Sequence, residues 1–114
     1  MGIDIYVISS IMLGMMNFVK ISKAMSDKNR LKILEMLSES EQKVGVVSEK
    51  LGVEENLASH HLRVLSGLGF LKSDKRGREV YYRLNTPKIV SLLVDLQKNK
   101  AFKAILQEAV AEAK

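Results

Sequence analysis

The chain has 114 residues, room for one domain and one core, and 46% hydrophobic residues are enough to fill that core. It has no cysteine, which excludes disulfides, thiolate metal sites and cysteine-based catalysis, and fits a reducing, cytoplasmic setting. Eighteen Lys and Arg against 13 Asp and Glu give a net charge of +5 and a pI near 9.5, a balance that favours a polyanionic partner over an acidic surface.

Ile3 to Ile21 is strongly apolar, and a signal peptide, a membrane span and a buried helix compete for it. A signal peptide needs a positive start, whereas this stretch opens with Asp4 and no Lys or Arg. Gly14 and Asn17 interrupt the run before it reaches spanning length. The third reading is a helix that is apolar around most of its circumference. In a small protein such a helix is buried on two sides, by its own core and by a second subunit. Residues 1–25 are therefore expected to form an N-terminal dimerisation helix, with no membrane involved. Met15 and Met16 stand beside Met1 as alternative natural starts.

Ser26 or Asp27 offers an N-cap to a short helix whose Leu31, Ile33, Leu34 and Leu37 are apolar, and Ser38 to Gln42 reads as a polar connection. Arg30, at the start of that helix, has two readings, a phosphate contact or a surface salt bridge. Residues 44–68 read as a helix-turn-helix. Its first helix, Val44 to Leu51, turns Val46, Val47 and Leu51 inward and Ser48, Glu49 and Lys50 outward. Gly52 supplies the turn, since without a Cβ it takes the positive φ that a sharp angle between helices requires. The second helix begins near Glu54 and places Ala58, His61, Leu62, Leu65 and Leu68 on one apolar face. At roughly 100° per residue, Asn56, Ser59, His60 and Arg63 then share an arc of about 100° on the other face. That stripe has hydrogen-bonding groups and no carboxylate, which suits base edges in a major groove, with Arg63 the type best matched to guanine. Glu54 and Glu55 suit the helix dipole at this end but repel phosphate.

Residues 69–84 read as a wing. Phe70 to Ser73 and Glu79 to Leu84 are its strands, joined around Lys75 to Gly77, with Tyr81 and Tyr82 on opposite faces. Lys72, Lys75, Arg76 and Arg78 stand against Asp74 alone in the first strand and tip, so positive charge gathers beside the recognition helix. Long cationic side chains on a hairpin follow phosphates or enter the minor groove, though a hairpin tip is also charged for solubility alone. Asn85-Thr86-Pro87 starts a last helix over 86–114, with an N-cap followed by Pro at or near its first position. Its first apolar set, Ile89, Leu92, Leu93 and Leu96, is out of phase with Phe102, Ile105, Leu106, Ala109 and Val110, so a bend or break is expected near Asn99. This helix is expected to pair with the N-terminal one in a two-fold interface, the alternative being packing within one chain.

The order SKAMSDKNRLKILEML, VGVVSEKLGVEENLASHHLRVLSGLGFL, KRGREVYYRL resembles the ArsR/SmtB family of winged helix-turn-helix repressors over about Phe18 to Leu96. SHHLRVL at Ser59 to Leu65, followed by glycine and a hairpin ending in YYRL, is its most specific part. The resemblance implies a mainly α fold with a small β-hairpin wing, and a homodimer that binds a pseudo-palindromic operator on double-stranded DNA and releases it to an effector. It implies DNA-facing positions for Asn56, Ser59, His60 and Arg63, and wing positions for Lys75, Arg76 and Arg78. The chain departs from members that sense metal through cysteines near the first motif helix, having EQKVGVV at Glu41 to Val47. It departs from members that use Asp and His in the last helix, where it has Asp95, Glu108 and Glu112 but no histidine. No metal, cofactor or named effector is therefore expected.

His60 and His61, about 100° apart on one helix, do not converge on one ion. His61 lies toward the core and His60 toward solvent. No phosphate loop, nucleophile elbow or Ser/His/Asp grouping appears, so an enzyme is not expected. The expected function is a sequence-specific DNA-binding regulator, a homodimeric repressor; the alternative is a winged-helix protein-interaction module, which the Glu54-Glu55 pair would suit.

Overall fold

A computed structural model describes residue 2 and residues 4–113, apart from the side chains of residues 101, 102, 105, 106, 109 and 113. Helix α1 (Ile5–Met25) starts where the Asp4 carboxylate accepts a hydrogen bond from the Tyr6 N–H at 2.9 Å. It buries one narrow side only, at Gly14, Asn17 and Ala24. Gly14 is a close-approach position, because a Cβ there would stand 2.6 Å from the Asn99 side chain. The rest of the helix is open, with Tyr6 81% and Met15 62% exposed, so one chain supplies one of the two burials its composition calls for.

Asp27 then caps α2 (Lys28–Glu39), accepting from the N–H groups of Asn29 at 2.7 Å and Arg30 at 3.2 Å. Partial burial pushes its carboxyl up, but the N–H groups of Arg30 and Asn29 outweigh this and hold it below the usual range. Helix α2 sends Ile33 and Leu37 into the core. The polar connection expected over Ser38 to Gln42 is shorter than that, since α2 runs to Glu39 and Gln42–Lys43 forms a strand, β1. Two residues carry no periodicity; what makes them a strand is distant pairing with Tyr82 and Tyr81.

Helix α3 (Val44–Leu51) buries Val47 and ends at Gly52, whose φ of 69° is the left-handed conformation that costs other residues about 1–2 kcal/mol. Ser48, expected to point outward, is half-buried and donates to the Val53 carbonyl at 2.7 Å, pinning the turn. Helix α4 (Glu55–Gly67) follows and buries Ala58, His61, Leu62 and Leu65. The Phe70 N–H reaches back to the Leu65 carbonyl at 2.9 Å, and Asn85 N–H reaches the Phe70 carbonyl at 2.8 Å, so the hairpin base is tied to the end of α4.

Strands β2 (Leu71–Arg76) and β3 (Glu79–Leu84) pair antiparallel, and β1 adds to the other edge of β3, giving the order β1-β3-β2. The turn falls at Gly77–Arg78, later than the sequence pattern indicates, because Gly77 at φ 64° opens a two-residue hairpin loop and the pairing runs out to Arg76 and Glu79. Helix α5 (Thr86–Lys98) packs Leu92 and Leu96 inward. At Asn99 the chain turns: its N–H donates to the Leu96 carbonyl and its own carbonyl accepts from Lys103, so one residue closes α5 and opens α6 (Lys100–Ala113). Of the second apolar set on this segment, the side chains of Phe102, Ile105, Leu106 and Ala109 lie outside the described residues, and Val110 is exposed.

The core gathers Ala24, Ile33, Leu37, Val47, Leu62, Leu65, Phe70, Leu71, Tyr82 and Leu92, so the end of α1, then α2, α3, α4, β2, β3 and α5 all anchor in it. Leu62, fully buried on α4, is at its centre. Leu62→Ala is expected to cost about 3 kcal/mol of stability, read from urea unfolding at fixed protein concentration; a loss below about 1 kcal/mol would mean that α4 is not held by this face.

Candidate nucleic-acid interface

Burying Ala58, Leu62 and Leu65 fixes the rotation of α4, and with it the direction of its polar stripe. Asn56, His60 and Arg63 are exposed; Ser59, the fourth member, is half-buried at the edge of the stripe. The structure brings Arg78 to that edge. Ser59, Arg78, Glu55 and Val80 line one open groove of about 330 Å³ between the starts of α3 and α4 and the turn end of the wing, which Lys43 and Glu79 also line. Lys75 is paired across the hairpin with Val80, and directly opposed residues share a sheet face, so Lys75 stands on the groove side. Ser59 of the stripe and Arg78 therefore share one groove, with Lys75 on the same sheet face as Val80.

Arg76 lies in a different setting. Its neighbours along β2 alternate faces, and its guanidinium grips the Glu41 carboxylate with two bonds of 2.6 and 3.0 Å, touches Asp74 at 3.2 Å and stacks 4.4 Å over the Tyr81 ring. Hydrogen bonding from Arg76 holds the Glu41 carboxyl below its ordinary range. Lys43 forms a second pair with Glu79 at 2.9 Å, and that hydrogen bond pushes its ammonium pKa up. Arg83 stands 3.9 Å from Asp74. Lys72, Lys75 and Arg78 have no ion pair among the described residues, so they are the wing cations free to meet a phosphate.

Glu41 and Lys43 are the functional neighbours that sequence reading passes over. Glu41 directly precedes β1 and Lys43 lies in it, and the only signal for them is a polar stretch with no period. Arg30, read from the sequence as a phosphate contact or a surface salt bridge, makes no salt bridge among the described residues. Its Nε and Nη2 donate to the Lys23 carbonyl at 3.0 and 2.8 Å, and Nη2 reaches Ser26 Oγ at 3.1 Å, so it closes the last turn of α1. His60 is exposed on the stripe and His61 is buried at 5% exposure, the division that helical spacing indicates. Glu54 and Glu55 are both exposed at the start of α4, with Glu55 inside the groove that Arg78 lines.

Residues 27–73 match the family described as bacterial regulatory protein, arsR family. The chain is 40% identical over 79 residues to a Staphylococcus aureus protein named cadmium resistance transcriptional regulatory protein CadC homolog, covering 68% of this chain and 65% of that one. It is 34% identical over 64 residues to the transcriptional repressor SdpR of Bacillus subtilis, covering 56% and 71%. Among solved structures it superposes on HlyU from Vibrio cholerae with a TM-score of 0.59 and 31% identity, covering 72% and 89%. With an ArsR-like transcriptional regulator from Rhodococcus the TM-score is 0.67 at 25% identity, covering 85% and 92%. The chain thus spans slightly less than two thirds of the first of these relatives. These relatives are named as transcriptional regulators, not enzymes, SdpR as a repressor and HlyU as an activator.

The Glu41 pairing generates a prediction. Glu41→Gln removes one negative charge and releases Arg76, so affinity for any DNA duplex is expected to rise and the salt slope to steepen by up to about one counterion. Fluorescence anisotropy across a salt series measures both, and an unchanged slope would place Arg76 out of reach of the backbone.

Proposed function

The chain belongs to the arsR family of bacterial regulatory proteins, a family of transcriptional regulators, and from that premise we propose that it is a sequence-specific DNA-binding repressor acting as a homodimer in the cytoplasm. The observation that carries this reading is the exposed trio Asn56, His60 and Arg63 on a helix locked by its opposite face, with Arg78 beside it across the groove. Such a helix fits the major groove, where Asn and Arg form two-pronged bonds to adenine and guanine, while Arg78 and Lys75 follow the phosphates. Ser59, at the rim, contacts the backbone rather than a base edge.

The apolar outer side of α1 supports the dimer. By length and composition α1 is also sufficient to cross a membrane, with 11% of its most apolar window buried in the single chain. We assign that surface to a second copy, which would set two recognition helices about 34 Å apart on a pseudo-palindromic site. The exposed Glu54-Glu55 pair favours one competing reading, a protein-interaction module without specific DNA binding. It lowers affinity for phosphate in general and leaves base reading intact, so the DNA reading stands first. No effector or metal enters this proposal.

Arg63→Ala is expected to lower affinity for the operator by about 1–3 kcal/mol and leave non-specific binding nearly unchanged. Arg78→Ala is expected to weaken all duplexes alike and reduce the salt slope by about one, with Arg76→Ala doing less because Glu41 already occupies it. Anisotropy with the DNA upstream of the chain's own gene and a scrambled duplex, at two or more salt concentrations, measures these effects; sedimentation gives the oligomeric state. Equal losses on both duplexes for Arg63→Ala would remove its base-reading role. Weak, unselective binding by a dimer would favour the interaction module.

A further inference from the structure

His61 is the buried polar group of α4 that base reading does not use. Its ring, 5% exposed, places Nδ1 3.5 Å from Arg30 Nη1 and Nε2 3.9 Å from Asp27 Oδ1. A guanidinium offers donors only and does not give up its proton, so Nδ1 meets it with a lone pair. The neutral ring then carries its hydrogen on Nε2, toward Asp27. The same Arg30 holds the Lys23 carbonyl and Ser26 Oγ, and the same Asp27 caps α2 through the N–H groups of Asn29 and Arg30. Three side chains thus join the end of α1, the start of α2 and the buried side of α4.

We propose that His61 is a positioning residue for the recognition helix, and that a proton on its ring weakens DNA binding by shifting this three-helix joint. The inference rests on the DNA-binding reading above. Protonation turns Nδ1 into a donor aimed at a guanidinium, two cations facing each other at 3.5 Å, while the new charge is drawn to Asp27 on the other side. Both forces push the ring the same way, off Arg30 and toward the α2 cap. A packed helix does not let one ring move alone, so α4 moves against α2, and Arg30 loses its contact with α4. The other titratable group facing the ring is His60, whose centroid is 5.8 Å away on α4 itself. Neither α3 nor β2 brings a charged side chain within ion-pair distance of the ring among the described residues.

His60 provides an internal contrast of opposite sign. It is exposed on the DNA-facing stripe, so a proton there adds positive charge near phosphates and strengthens binding on acidification. The test is anisotropy with the full chain at constant ionic strength, on the operator fragment and a scrambled duplex, at about pH 8 and pH 5.5, the interval over which imidazoles change charge. Wild type is expected to lose selective affinity by about tenfold, within the ordinary range of coupling between two sites. His61→Gln keeps a polar group that does not titrate and is expected to abolish the loss. Arg30→Gln removes the opposing cation and is expected to reduce it. His60→Gln is expected to deepen it.

A loss of the same size in His61→Gln, or no loss in wild type, would overturn the proposal. Ring nitrogen and backbone amide NMR on the DNA-free protein reads the joint separately. Acidification is expected to displace the Lys23 and Ser26 amide signals in wild type and not in His61→Gln. If no duplex is bound selectively at either pH, the DNA-binding reading fails on its own; the joint then stands with displaced amides and falls with unmoved ones.

Discussion

The polar face that the helix-turn-helix presents depends on one constraint, the burial of a single face of α4. A helix has one rotational freedom about its axis, and seating Ala58, Leu62 and Leu65 in the core removes it. Asn56, His60 and Arg63 do not choose to face outward; they are what remains once the apolar positions are satisfied. Gly52 and Ser48 complete the constraint by fixing the angle at which α4 leaves α3. The surface is stiff for that reason. Its supports are a packed core and a hydrogen-bonded turn.

Charge is arranged with less redundancy than the composition suggests. A net +5 reads as a generally basic protein, yet much of the wing's charge is internally paired, Arg76 with Glu41 and Asp74, and Lys43 with Glu79. Exposed pairs of this kind contribute little to stability and weaken with salt. Their effect is one of placement. They remove Arg76 from the outer sheet face as a free cation and leave Arg78 and Lys75 on the face beside α4, with Glu55 set against them at the helix start. Arg63 and Arg78 carry no ion pair among the described residues. The carboxylates of the groove oppose indiscriminate phosphate binding there, which raises the share of affinity that base contacts must supply.

What was legible in the sequence follows the length scale of the signal. Period carries over whole helices, so the apolar faces of α2 and α4 and the phase change at Asn99 can be read from one chain. Glycine chemistry carries over single residues, which made Gly52 legible and left the hairpin turn displaced, since Gly77 opens the loop rather than closing it. What was not legible is pairing between distant segments. The β1 strand exists because Gln42 and Lys43 meet Tyr82 and Tyr81, and no local property of a two-residue stretch encodes that meeting. The same non-local step converts Arg76 from a free wing cation into a partner of Glu41, and Arg30 from a surface residue into the clasp on α1.

The clasp bears on how the two ends of the molecule communicate. Fully burying one large apolar side chain contributes about 1.5–3 kcal/mol, whereas bringing two chains together costs about 4–15 kcal/mol before any contact is made. A few residues of α1 would not hold a second copy; the exposed side of the helix, from Tyr6 through Ile11 to Met15, has to act as a whole. A helix engaged along its length moves as a rod, and its last turn ends on Arg30, which also faces the buried ring of the recognition helix. On the DNA-binding, dimeric reading proposed above, a change in how a second copy seats on α1 would reach the inner face of α4 through Arg30, where a small displacement re-aims Asn56, His60 and Arg63 together.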